Sequence, residues 1–140
     1  MYKYEYPRPA VTTDAVIFAN SDNKKYLLLI KRGRPPYEGL WALPGGFLDI
    51  DEELLDGVNR ELEEETGLTG IEMKQLKAYG GVNRDPRHRT ISVVFYGTTD
   101  KLHEVKGMDD AAEAKWFPVE ELPPLAFDHA EIVEDAISIK

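Results

Sequence analysis

Residues 51–66, DEELLDGVNRELEEET, restrict the possible folds more than any other stretch of this chain. They contain no proline, are rich in helix-forming Leu and Glu, and run into Gly67, the residue type that best tolerates the left-handed conformation just past a helix end. At ~100° per residue Leu55, Val58 and Leu62 fall on one stripe, so this helix must bury one side against another element. Its surroundings read as strand. Residues 11–19 are β-branched and apolar and stop at the turn formers Asn20, Ser21, Asp22 and Asn23, after which residues 26–30 read as a partner strand. Residues 33–39 carry Pro35 and Pro36 and read as an irregular loop, leading through residues 40–43 to the sharp break Pro44-Gly45-Gly46. Residues 72–79 and 90–99 read as strands separated by Gly80, Gly81 and the basic segment 84–89, and residues 114–117 as a further short strand. A second helix is expected from Asp128, with Glu131 completing a capping box and Ile132, Ala136 and Ile139 on its inward face. Strands before, between and after two helices, without regular βα alternation, predict an α+β sandwich on a mixed sheet. No repeat or linker divides the chain, so residues 1–140 are expected to form a single domain.

Charge narrows the partners. With 17 Lys and Arg against 26 Asp and Glu, the net charge of -9 opposes broad attraction to nucleic acid or to an anionic membrane surface. An anionic substrate would need cations placed locally. The absence of cysteine excludes disulfides and thiolate metal sites. No apolar run has the length of a membrane span or signal peptide, and a cytoplasmic location is the expectation.

The helix also gathers carboxylates. Glu65 lies at the margin of the apolar stripe, and Glu61 and Glu64 project from the same flank in the i, i+3, i+4 relation. Like charges so placed repel, and partial burial would raise their pKa values unless a cation compensated them; a hard divalent cation with oxygen ligands would do so. A solvated acidic face would account for the spacing alone. Gly57, inside the helix at a cost of about 1 kcal/mol relative to alanine, has two accounts: open space beside the carboxylates, or close packing against a neighbour.

The full segment 46–68, GFLDIDEELLDGVNRELEEETGL, matches G-x5-E-x7-R-E-U-x-E-E-x-G-U, where U is aliphatic, at every fixed position: Gly46, Glu52, Arg60, Glu61, Leu62, Glu64, Glu65, Gly67 and Leu68. In this the chain resembles the Nudix hydrolase family. The resemblance implies an α/β/α sandwich with a mixed β-sheet, and hydrolysis of a nucleoside diphosphate linked to another moiety with Mg²⁺ or Mn²⁺ as cofactor. It implies Glu61, Glu64 and Glu65 as metal-facing carboxylates, the Gly45 carbonyl as a further metal ligand, and Arg60 as the residue that orients a glutamate. Gly46 and Glu52 take supporting roles, Glu52 through the helix dipole. Glu64 is the candidate base within the motif. Asp109, Asp110 and Glu113 are the candidates outside it, although each also reads as part of an exposed acidic turn.

Further stretches are similar to the ADP-ribose pyrophosphatase branch of that family: Lys31-Arg32, residues 36–46 (PYEGLWALPGG), residues 83–87 (NRDPR) and residues 122–129 (LPPLAFDH). They imply cleavage of ADP-ribose to AMP and ribose 5-phosphate. Arg32, Tyr37, Arg84 and Arg87 are the candidate substrate-binding residues. Arg84 and Arg87 would supply local positive charge, or else pair structurally with Asp85; Tyr37 or another aromatic would stack on adenine, but Trp41, Phe47 and Phe127 equally suit core packing, and no stacking residue is assigned. His129 reads as support for the second helix start rather than as a metal ligand. The runner-up activity is a house-cleaning pyrophosphatase acting on oxidised or non-standard nucleoside triphosphates. An alternative of another class is a non-catalytic ADP-ribose sensor, as in transcriptional regulators that add a C-terminal winged helix. The chain's end at Lys140 and its intact glutamates favour the enzyme. The expected partner is a small nucleotide-diphosphate substrate, with no nucleic acid and no membrane, and the resemblance implies a possible homodimer.

Overall fold

A computed structural model describes residues 3–139. Its centre is β1, Ala10–Ser21, which pairs in parallel with β6, Thr90–Thr99, from Ala10 against Thr90 to Ala19 against Thr99. On its other edge β1 changes partner partway. Phe18 to Ser21 pair antiparallel with β2, Lys24–Arg32, while Thr12 to Asp14 pair antiparallel with the short β4, Gly45–Phe47. The β1 to β2 turn is carried by Asp22 and Asn23, both with positive φ (51° and 64°), as the Asn- and Asp-rich cluster predicts for a tight hairpin. β3, Trp41–Ala42, and β7, Ala111–Pro118, flank β2, and β5, Lys74–Tyr79, closes the far edge against β6.

Both faces of this mixed sheet are covered, so β1 reads as an unbroken buried run rather than an alternation. Ala15 and Ile17 pack with Val58 and Leu62 of α1, Leu54–Thr66, together with Leu28 and Phe95. The intervening Val16 and Phe18 pack with Ile132, Val133 and Ala136 of α2, His129–Ile137, together with Leu27, Leu29 and Leu43. The period of two along the strand therefore sends alternate residues to two separate helices, which makes the predicted α/β/α sandwich. No helix among the described residues is long and apolar enough to cross a membrane.

Several boundaries differ from the sequence reading. α1 begins at Leu54 rather than residue 51, because the Glu52 carboxylate is turned back onto the Asp49 amide and Arg60 instead of extending the helix. The buried stripe also runs differently from the expected one: Leu54 packs against the core with Val58 and Leu62, while Leu55 is 45% exposed. At the other end Gly67 has φ 79° and its N–H donates to the Glu63 carbonyl, the left-handed cap expected there. At Gly57 the packing account fits, since a Cβ there would stand 2.7 Å from Leu48 Cδ1. In α2 Asp128 makes no side-chain cap, its carboxylate being engaged by Arg84, and Ile139 lies past the helix end at 38% exposure.

Candidate active site

The last two turns of α1 meet β4 at a close backbone approach. Glu65 is 6% exposed, and its Oε1 accepts from the Gly45 amide at 2.8 Å. A Cβ on Gly45 would collide with the Asp14 carboxylate, and one on Gly46 would stand 2.6 Å from that of Glu61. The paired glycines thus let carboxylates from two elements crowd against bare main chain. β4 is held there by β1, both through their ladder and through the Ala15 amide donating to the Pro44 carbonyl at 2.8 Å.

Burial dominates the electrostatics of this cluster. It pushes the Glu65 carboxyl up to about 8, with the charges of Glu61, Asp14 and Asp110 adding and the Gly45 hydrogen bond opposing. Glu61 is likewise raised by burial, against the hydrogen bond from Arg60. Asp14, enclosed within β1, is raised to about 6 by burial in spite of hydrogen bonds to Thr12 and Ser92. Among the described residues neither Glu65 nor Asp14 has an ion-pair partner.

Arg60 answers the rest of the cluster. Its Nε and Nη2 donate to the two oxygens of Glu52 at 2.6 and 3.0 Å, and its Nη1 donates to Glu61 at 2.8 Å and to Glu64 at 3.2 Å. Its Nη2 also reaches the Phe47 carbonyl at 3.2 Å. The hydrogen bond from Arg60, with that from the Asp49 amide, pulls the Glu52 carboxyl down to about 2. Glu52 stands just before the helix and holds Arg60 through both carboxylate oxygens. No three His, Asp or Glu side chains among the described residues converge as a ready chelate, since a guanidinium lies among Glu52, Glu61 and Glu64. The donor chemistry nevertheless fits a hard divalent cation: crowded, desolvated oxygens, two of the carboxylates uncompensated, beside glycine backbone.

A cavity of about 450 Å³ opens from this cluster, lined by Asp14, Gly45, Gly46, Arg60, Glu61 and Glu65 and also by Arg32, Arg84 and Arg87. Arg84, whose side chain is 7% exposed, donates through Nε and Nη2 to Asp128 at 2.8 and 2.6 Å and through Nη1 to Ser92 at 2.7 Å. Ser92 lies 2.5 Å from the Thr12 hydroxyl, which donates to Asp14 at 3.0 Å, so one polar chain joins the arginine to the buried aspartate. Arg87, not Arg84, pairs with Asp85, at 2.8 Å, and its guanidinium lies over the rings of Phe47 and Phe127 at 5.1 and 5.6 Å. Arg32 stands beside the bulge in the β2 to β7 pairing, donates to the Pro36 carbonyl at 2.7 Å and lies over Phe127 at 5.0 Å. It has no carboxylate ion-pair partner among the described residues.

Tyr37 is not part of the lining. It packs edge-on against Phe127 with ring centroids 4.8 Å apart, and it is Phe127, together with Phe47, that lines the cavity. Asp109 and Asp110 do line it, Asp110 paired with Arg34 at 2.5 Å, whereas Glu113 lies outside and faces Lys31 at 3.6 Å. Asp14, Thr12 and Ser92 were not singled out from sequence. The signal for Asp14 was available, because a carboxylate in the middle of the otherwise apolar run TTDAVIFA has no packing reason to be there.

The family model for the NUDIX domain matches residues 8–136. Over 131 residues the chain is 45% identical to an ADP-ribose pyrophosphatase of Methanocaldococcus jannaschii, covering 93% of this chain and 74% of that protein. It is 31% identical to the ADPR responsive transcriptional repressor NtrR of Acinetobacter baylyi, covering 97% of this chain but 56% of the repressor. Among solved structures, the NUDIX domain of Shewanella oneidensis NrtR complexed with ADP ribose superposes with a TM-score of 0.89 at 33% identity, over 94% of this chain and 88% of that one. A bifunctional NMN adenylyltransferase/ADP ribose pyrophosphatase from Francisella tularensis gives a TM-score of 0.83 at 30% identity, over 96% of this chain and 42% of that one.

Proposed function

Because this chain belongs to the NUDIX family, we propose that it is a metal-dependent hydrolase that converts ADP-ribose and water to AMP and ribose 5-phosphate. The observation that carries this reading is the joining of a buried carboxylate cluster and an arginine-lined surface in one cavity of about 450 Å³, within the range of small-ligand sites. The 45% identity to an ADP-ribose pyrophosphatase supplies the substrate.

Glu61, Glu64, Glu65 and the Gly45 carbonyl would hold Mg²⁺ or Mn²⁺, which when bound supplies neutralising charge at the diphosphate oxygens and acidity to a water. Arg32, free of a carboxylate, binds phosphate directly, and Arg87 adds charge beside it. Glu64, the most exposed of the motif carboxylates with a side chain 42% accessible, accepts the proton of the attacking water. A new oxygen to phosphorus bond forms as the bridging bond between the two phosphates breaks, which leaves one phosphate on each product. Arg60, tied to Glu52, positions Glu61 and Glu64 for these tasks.

The test is to incubate purified protein and Mg²⁺ with ADP-ribose, other nucleotide sugars, NADH, diadenosine polyphosphates and 8-oxo-dGTP, and to resolve the products chromatographically. Fast AMP release from ADP-ribose is expected. Turnover of 8-oxo-dGTP instead would move the protein to the triphosphate house-cleaning enzymes. Tight ADP-ribose binding without turnover of any substrate would favour a sensor, a reading kept in view by the 31% identity to a repressor.

A further inference from the structure

His129 opens α2 from inside the protein, 5% exposed, and its ring lines the same cavity. The backbone amide of Leu43 is directed at its Nδ1 at 3.0 Å. An amide N–H can only donate, so Nδ1 must present its lone pair, and the one proton of the neutral ring sits on Nε2. Protonating Nδ1 would set two hydrogens face to face across that bond. Burial independently holds the ring neutral by pushing its pKa down to about 4, the nearby Arg84 and Arg32 charges lowering it further and Asp128 opposing. The tautomer is therefore set by the main chain of the segment between β3 and β4, far away in sequence.

The Nε2 hydrogen has no protein acceptor among the described residues. Nor is it sealed in: the buried side-chain polar atom without a partner among those residues is Thr13 Oγ1, so Nε2 is reached from the cavity. Phe127, with its ring 5.4 Å from that of His129, backs the imidazole on one side. The result is an uncharged donor of fixed direction in a pocket whose positive charge already comes from arginines.

We propose that His129 is a substrate-binding residue whose Nε2–H donates a hydrogen bond to an acceptor oxygen or nitrogen of the bound nucleotide, with its orientation fixed by the Leu43 amide. This rests on reading the cavity as the ADP-ribose site. A donor of this kind selects for an acceptor at one place on the ligand, because a ligand lacking it would leave the desolvated N–H unpaired.

The experiment uses ¹⁵N-labelled full chain with Mg²⁺ and long-range imidazole spectra, adding in turn AMP, ribose 5-phosphate and the α,β-methylene analogue of ADP-ribose, which cannot be hydrolysed at that bridge. The expected spectrum of the free protein has an unprotonated Nδ1 and a protonated Nε2 on His129. The Nε2–H resonance should then move with the analogue and with one of the two half-ligands, which identifies the half that is contacted. A protonated Nδ1 would overturn the proposal. So would an Nε2–H that stays still while calorimetry shows the analogue binding, and in that case the substrate reading would survive. Absence of analogue binding altogether would remove both. The variant His129→Asn keeps an acceptor for the Leu43 amide but removes the Nε2 donor. It should weaken analogue binding about tenfold, a loss typical of one hydrogen bond, and binding as tight as wild type would count against the assignment.

Discussion

Arg60, Glu61 and Glu65 on the acidic lining, with Glu64 beside them outside it, come from about two turns of one helix, whereas Arg32, Arg84 and Arg87 on the basic lining come from β2 and from the loop between β5 and β6. The acidic groups are fixed by helix geometry and by backbone approach at Gly45 and Gly46. The basic groups are fixed by partners distant in sequence: Arg84 by Asp128 and Ser92, Arg32 by the Pro36 carbonyl and the Phe127 ring. Their charge balance differs too. Glu65 and Asp14 lack an ion-pair partner among the described residues and their carboxyls are raised, while Arg84 and Arg87 are already paired, which leaves Arg32 without a carboxylate partner on the basic side. One lining is short of positive charge, and the other spends most of its charge on holding its own shape.

That contrast can be broken most directly on the acidic side. Glu64→Gln and Glu65→Gln should each cut ADP-ribose turnover by about two to four orders of magnitude while the thermal midpoint hardly moves, since the amide keeps the size of the side chain. Near wild-type rates in both would refute the role given to α1. Arg84→Ala should act on folding instead. It strands Asp128 beside a nearly enclosed space, and a loss of about 3 kcal/mol is expected in urea unfolding. An unchanged midpoint would mean that Arg84 is held loosely and is available to substrate.

His129 gives a pH signature of similar ceiling. Its pKa is about 4 in the folded protein and ~6.5 when unfolded, so the unfolded chain binds the extra proton between those values. The stability linked to the neutral ring is complete above pH ~6.5 and disappears as pH falls toward 4, a loss approaching about 3 kcal/mol. The raised carboxyls of Glu61 and Glu65 work in the opposite sense, so the informative quantity is the difference between wild type and His129→Asn, which should shrink as the pH falls through this window. A constant difference would contradict the depressed pKa. Arg32→Ala should raise KM for ADP-ribose about tenfold with a smaller change in kcat, as for loss of one charge-assisted contact. Arg34→Ala should do least. Its pair with Asp110 joins side chains that are 72% and 51% accessible, and the expected change in stability is under about 1 kcal/mol.

The acidic lining was legible in the sequence because its information is local. Helix period and a glycine cap place Glu61, Glu64 and Glu65 without any knowledge of what packs against them. The sandwich was legible from the order of elements, strands before, between and after two helices without regular βα alternation, which is itself read from local pattern. What could not be read was tertiary. Which of Leu54 and Leu55 is buried depended on the face α1 turns to the sheet, and the start of α1 on Glu52 turning back to Arg60. The partner of Arg84 lies 44 residues away, while the adjacent Asp85 belongs to Arg87. Tyr37 and Phe127 are comparable aromatics in sequence, and their edge-on packing leaves Phe127, not Tyr37, on the cavity lining. For His129 the residue type suggested a helix start, but its hydrogen-bonding role comes from Leu43, 86 residues earlier.

The loop of residues 33–39 is stitched shut at its base, with the Arg32 amide donating to the Leu40 carbonyl and the Gly39 amide to the Arg32 carbonyl, both at 2.8 Å. Its two ends are thereby fixed to each other independently of its contents. Doubling the length of such a loop adds only about 0.6 kcal/mol of closure entropy, so insertions between those stitches cost the sheet little. Because Pro36 within the loop holds Arg32, and Gly33, Arg34 and Pro35 line the cavity, exchange of that segment would reshape the basic side of the cavity while the carboxylates of α1 keep their frame.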